Sequence, residues 1–255
     1  MPPRIDTLLQ GNFLDTSQGA VAFCAVTMIE GEDTAGRTRR ILVDTGSAGR
    51  AQALADALER RGLSGSDIDA VVLTHAHWDH MQNLDLFPRA AFCLHPAELS
   101  YLADPHPRDR ATPRWTRAAL SQYPIREVTE GTPLMDGVTV LAVPGHSAGT
   151  IAVAVATGDG IAVIAGDAVQ SGQVARHRRN VLVFWDVAMA DRSVRRIVDL
   201  ADIIYPGHDR AFRLDADGQP EYRQDFELTV TGPAPELAGL VLLPDAGFAP
   251  HAFLP

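Results

Sequence analysis

The chain has 255 residues, of which 46% are hydrophobic and 21% charged, a balance that suits a folded globular core and excludes a disordered chain. Its formal net charge of −10 repels polyanions, so nucleic acid is the disfavoured partner unless a local basic patch overrules the mean. Two cysteines are too few for a disulfide scaffold, and Cys24 and Cys93 each sit in an apolar run, where small buried hydrophobes are expected. Neither a signal-like stretch nor an apolar run of membrane length is found, which predicts no membrane association and a cytoplasmic address.

In chain order, residues 20–29 and 40–43 read as strands joined by the polar, Gly-bearing segment 30–39. Residues 48–63 set Leu54 and Leu58, and Ala51 and Ala55, at helical spacing before Gly62 stops the pattern. Short apolar runs at 69–73, 90–94, 138–143, 151–156, 161–165 and 202–205 suit strands, the first of them buried on both faces. Residues 191–201 place Val194, Ile197, Val198 and Ala201 on one helical face. Strands mixed with helices, without a break in composition, predict one α/β sandwich over residues 1–212. Residues 103–115, rich in proline and charge, read as an exposed loop or lid. Residues 213–255, polar and then Pro-rich, are expected to be a C-terminal extension packed on the domain or on a partner subunit.

Chemistry concentrates in His75-Ala76-His77-Trp78-Asp79-His80, directly after the strand run 69–73. Neutral imidazole and carboxylate are the ligands that borderline cations such as zinc prefer. In an extended chain residues i and i+2 point the same way, so His75 and His77 can share one ion while Asp79 and His80 turn toward another. Three later strand ends repeat glycine followed by a ligand type: Gly145-His146, Gly166-Asp167 and Gly207-His208. Glycine lets the backbone turn tightly where a strand leaves the sheet, and α/β proteins build their sites at such ends. Asp44-Thr45-Gly46, after the strand run 40–43, reads by itself as a turn with a helix cap.

Taken in order, these motifs resemble the metallo-β-lactamase superfamily over roughly residues 20–210, and the runs 83–88 and 201–208 resemble one subgroup of it. The resemblance implies an αββα sandwich, two mixed β-sheets flanked by helices, and a metal-dependent hydrolase. It implies that His75, His77 and His146 hold one metal, that Asp79, His80 and His208 hold the other, that Asp167 bridges them, and that Asp44 props the histidine loop. Two divalent ions, zinc first and manganese or iron otherwise, would then activate hydroxide against a small ester, lactone or amide, with Asp79 as the catalytic residue that orients it.

For substrate contacts, the loop 168–186 is expected to overhang the metals and to offer Arg176, His177, Arg178, Arg179 and Trp185, with Trp78 as an apolar wall. His95 and His106 are expected to be structural or exposed. A phosphodiesterase or nuclease on the same metals is the alternative that the basic run 176–179 favours. A mononuclear iron oxygenase shares the ligand frame and is a further alternative. The expected partner is a small-molecule substrate, and a homo-oligomer is compatible with the chain.

Overall fold

A computed structural model describes residues 2–16, 19–33, 35–226, 228–229 and 251–252. Period-2 alternation along its strands builds four layers, because successive side chains of a strand point to opposite faces. Ile41, Val43, Val72 and Cys93 face inward and meet Val140, Val153, Val155, Ala162 and Ile164 of the opposing sheet. Their neighbours Leu42, Val71, Phe92 and Leu94 face outward onto Leu54, Ala57 and Leu58 of helix Ala51–Glu59. On the other flank Leu141, Ala152, Val163 and Ala165 pack against Val174 and Ala175 of helix Gly172–His177 and Val194 and Ile197 of helix Val187–Leu200. The result is an αββα sandwich whose central core is the sheet-to-sheet interface. Cys24 and Cys93 are both buried free thiols.

The first sheet runs in spatial order Arg4–Leu9, Val26–Glu32, Thr38–Val43, Ala70–Val72, Ala91–Leu94 and Ile125–Glu127. Its last four strands are parallel, so the residues following Val43 and Val72 emerge at one edge. The second sheet runs Pro220–Tyr222, Phe212–Leu214, Ile203–Pro206, Gly160–Gly166, Ile151–Thr157, Val138–Ala142 and Pro133–Met135. Within it Gly160–Gly166 and Ile203–Pro206 are parallel, which delivers Asp167 and His208 side by side.

Three expectations are corrected. The apolar run 20–29 is not one strand: Gly19–Phe23 pairs with Asn12–Thr16 as a separate ribbon, and Val26–Glu32 enters the first sheet. The break falls at Cys24-Ala25 because Phe23 O accepts from His208 Nδ1 and Ala25 N donates to Gly207 O, contacts no local pattern announces. The helix expected at 191–201 spans Val187–Leu200, starting where the Asp186 carboxylate accepts from Met189 N. Short elements at Pro96–Tyr101, Thr116–Leu120, Ile125–Glu127, Pro133–Met135 and Gly172–His177 went unread, being too brief to show periodicity. The division after residue 212 falls inside strand Phe212–Leu214, and residues 213–222 are edge strands of the second sheet. Beyond residue 226 the expected extension lies outside the described residues apart from 228–229 and His251–Ala252, the latter pairing with Leu182–Val183.

Candidate metal centre

Five imidazoles and two carboxylates converge where the strand ends of both sheets meet. His75 follows strand Ala70–Val72 at a bend and His77 in extended backbone, and the one-turn helix Trp78–Met81 then swings Asp79 and His80 to the neighbouring position. That turn is clamped to the loop after Val43 by Thr45, whose N–H and Oγ1 both donate to His80 O at 2.7 and 3.0 Å. Glycine is required at two of the later strand ends. A Cβ at Gly207 would lie 2.1 Å from Asp167 Oδ1, and one at Gly145, where φ is +137°, would lie 2.1 Å from Ala190 N.

Each imidazole spends its outer nitrogen on a protein acceptor. His75 Nδ1 donates to Thr74 Oγ1 at 3.0 Å, His77 Nε2 to Asp109 Oδ2 at 3.2 Å, and His80 Nδ1 to Asp44 Oδ2 at 2.8 Å. His146 Nδ1 donates to Leu182 O at 2.6 Å and His208 Nδ1 to Phe23 O at 3.2 Å. In the neutral ring the single proton is then held outside, and the inner nitrogen presents a lone pair. His146 Nε2 stands 3.2 Å from His75 Nε2 and 3.1 Å from His77 Nδ1, with Asp167 Oδ2 at 3.5 Å. On the other side Asp167 Oδ1 is 3.4 Å from His80 Nε2 and 3.2 Å from His208 Nε2, and Asp79 Oδ2 is 3.5 Å from the latter. His80 Nε2 and Asp167 Oδ1 are buried without a hydrogen-bond partner.

Converging lone pairs and orphaned buried acceptors repel one another unless a cation lies among them, so the donor set fits divalent metal ions. Among the described residues three groups lie close enough to share an ion: His75, His77, His146 and Asp167; Asp79, His80 and His208; and Cys24, Asp44 and His80, in the last of which His80 Nδ1 is already bonded to Asp44. Burial holds His75 well below the usual imidazole range and His146 down at about 4, so both are neutral and ligand-competent. Burial opposes protonation of His77 and His208 as well, but Asp109 beside the first and Asp167 and Asp79 beside the second carry them above their ordinary value. Burial pushes Asp167 up, yet His208 and His80 hold it well below the carboxylate range.

Comparison with known proteins matches residues 20–208 to the Metallo-beta-lactamase superfamily. The chain belongs to this superfamily. It is 35% identical over 192 residues to the human protein named metallo-beta-lactamase domain-containing protein 1, a match covering 71% of this chain and 62% of the relative, less than two thirds of that protein's length. The Xenopus laevis protein of the same name is 29% identical over 231 residues, covering 86% of this chain and 84% of its own. An N-acyl homoserine lactone hydrolase, solved with N-hexanoyl-L-homoserine at its catalytic metal centre, superimposes with a TM-score of 0.63 at 18% identity over 82% of this chain and 93% of its own. The dizinc lactonase AidC does so with 0.64 at 18% identity over 83% and 82%.

In this metallo-β-lactamase superfamily member the expected substrate arginines are not brought to the histidine cluster. Arg176, His177, Arg178 and Arg179 are exposed on helix Gly172–His177 and the turn after it, where Arg178 and Arg179 pair with Asp199 and Asp191 of helix Val187–Leu200. The segment does reach the cluster further on, through Phe184, whose ring stands edge-on to His77 and His146 at 5.2 and 5.6 Å. Trp185 is half exposed at the rim against Tyr101, and Trp78 is partly buried, its N–H donating to Ala111 O. His95 caps helix Pro96–Tyr101.

Sequence reasoning missed Asp109 and Glu98. Asp109 sits in the loop read as exposed, yet it is 5% exposed and holds His77. Glu98 is fully buried: Oε1 accepts from Ala76 N at 3.0 Å, and Oε2 accepts from Ser147 Oγ at 2.7 Å and Gly149 N at 2.9 Å. One carboxylate thus ties the His75–His77 run to the His146 loop. Apolar runs and ligand spacing carry no signal for either residue. Among the described residues no helix is long and apolar enough to cross a membrane.

Proposed function

We propose that the protein is a hydrolase of a small ester, lactone or amide, working with two divalent ions, zinc foremost, held by His75, His77 and His146 on one side, Asp79, His80 and His208 on the other, and Asp167 between. The observation that carries the reading is the anchoring of all five outer imidazole nitrogens, which leaves the inner nitrogens of His80, His146 and His208 facing Asp167 and those of His75 and His77 facing His146. When bound, such ions polarise a carbonyl oxygen and lower the pKa of water to about 7. Asp79, 4% exposed on its one-turn helix beside His80 and His208, is the chain's own acceptor for a proton released between the two groups. Asp44 fixes His80, and Asp109 fixes His77, so that neither ring reorients as charge develops. Phe184 covers the His77–His146 flank and keeps water from it. Lactone hydrolases among the fold neighbours support the acyl substrate class. The phosphodiesterase alternative keeps the subgroup resemblance as its support, while the basic run 176–179 supports it less, two of its arginines being ion-paired at the surface.

The test is a metal-quantified preparation assayed on lactones, esters, amides and phosphodiesters. About two divalent ions per chain, with acyl hydrolysis lost on chelation and restored by zinc, is the expected result. Full hydrolysis by metal-free protein overturns the reading.

A further inference from the structure

A cavity of about 390 Å³ opens beside Phe184, its other walls being Pro107, Arg108, Arg110 and Ala111. The Phe184 ring also stands against His77 and His146, so one wall of this cavity is shared with the candidate centre. The loop on its far side is fixed to the same centre at two points: Asp109 Oδ2 accepts from His77 Nε2 at 3.2 Å, and Ala111 O accepts from Trp78 N at 2.9 Å. Asp109 is held further by the Tyr101 hydroxyl at 2.9 Å, and its Oδ1 accepts from Ala111 N and Thr112 N. The anchored Asp109 therefore turns inward while the residues on either side of it, both arginines and both exposed, line the cavity.

Two arginines on a loop fixed to the centre, lining one cavity with an aromatic ring, bring together the side-chain types that grip a planar or tetrahedral oxyanion attached to an apolar body. In a chain of net charge −10 two neighbouring arginines are a place where an anion would be favoured. The cavity of about 370 Å³ lined by Ile203, Tyr205 and Asp159 has no such relation, since it lies at the starts of the strands whose ends carry Asp167 and His208.

We propose that Arg108 and Arg110 anchor an anionic group, a carboxylate or a phosphate, on the part of the substrate that lies along Phe184, away from the bond cleaved at the metal centre. This rests on the hydrolase reading above and narrows it: the acyl substrate carries a distal acid.

The test uses the zinc-loaded protein and calorimetric titration with three thiols that differ at the far end, benzyl mercaptan, 4-(mercaptomethyl)benzoate and 4-(mercaptomethyl)phenylphosphonate. The sulfur seats on the zinc in each, and the far end reads the arginines. At least one acid should bind about tenfold tighter than the neutral thiol. In Arg108→Gln/Arg110→Gln that advantage should shrink to within about twofold, with zinc content and near-ultraviolet circular dichroism showing an intact fold. A larger gain for the carboxylate assigns an acyl substrate with a free acid, and a larger gain for the phosphonate assigns a phosphate monoester as the anchored end. An acid advantage missing in the wild type, or surviving in the double variant, overturns the anchor while leaving the metal centre standing. Failure of benzyl mercaptan itself to bind overturns the metal-centre reading, and the anchor with it.

Discussion

Asp44 does its work from a strained backbone. At φ 60° it occupies the left-handed region, which costs a residue with a side chain about 1–2 kcal/mol. Its carboxylate recovers this by accepting from Thr74 N and Oγ1 and from His80 Nδ1, each at 2.8 Å. Asn tolerates the left-handed conformation and keeps one acceptor oxygen, whereas Ala keeps none. Asp44→Ala should therefore cost about 2–3 kcal/mol and deplete metal at the His80 side first, and Asp44→Asn should lose less of both, as read by denaturant melts and metal content. Glu98 is the parallel case for the loops. Glu98→Gln turns an amide N–H₂ toward one set of N–H and O–H donors, so its expected loss of about 1–3 kcal/mol should come with weaker metal retention at His75 and His146. Asp79→Ala tests the proton-accepting role: turnover should fall further than metal content does, and equal losses would make Asp79 a plain ligand.

Helix Val187–Leu200 governs the geometry of His146. Its inner face buries Ala190, Val194 and Ile197, its Ser193 Oγ donates to Pro144 O at 2.8 Å, and Ala190 packs so closely on Gly145 that no side chain fits there. Arg196 fastens the helix to the same strand end, with Nη1 donating to Ala142 O and Glu130 Oε2 and Nη2 to Glu130 Oε1. Hydrogen bonds from Arg196 hold the Glu130 carboxyl below its ordinary 4.5. A depressed carboxyl value means that the stabilisation is present above about pH 4.5 and is lost as pH falls through the lowered folded-state value. Arg196→Ala should accordingly lower stability by about 0.5–1 kcal/mol at pH 7, and the gap to wild type should close as acid titrates Glu130. A gap independent of pH would assign the effect to the Ala142 contact alone.

At the scale of the whole molecule the candidate centre is a seam. His75, His77, Asp79 and His80 belong to the edge of the first sheet, and His146, Asp167 and His208 to the edge of the second, with the apolar interface of Ile41, Val43, Val140 and Ile164 beneath them. A cation shared between the groups would clip the two sheets together only in the folded state. At an ion concentration of about 100 times its dissociation constant that is worth roughly 2.7 kcal/mol, or about 5–10 °C in melting temperature for a chain of this size. Chelation should lower the melting temperature by that amount, and re-addition of zinc should restore it. An unchanged melt would show that the seam holds without metal.

The layers were legible in the sequence because alternation and helical spacing are local: Ile41-Leu42-Val43 announces its two faces without knowing what lies opposite. Much of the candidate centre was legible for the same reason, since His75 to His80 lie in one run and each later ligand type follows a glycine at a strand end. What only the tertiary structure decided are the relations between segments far apart in the chain. The apolar run 20–29 breaks at Cys24 because Gly207 and His208, nearly two hundred residues away, claim the backbone of Phe23 and Ala25. The basic run 176–179 looks like a clamp until helix Val187–Leu200 supplies Asp191 and Asp199 to pair with it. The segment 103–115 looks like plain surface until His77 draws Asp109 inward and leaves Arg108 and Arg110 facing the cavity. In each case periodicity sets which way a side chain points relative to its own element, whereas its partner is set by packing of the two sheets and their helices, a quantity that no local pattern contains.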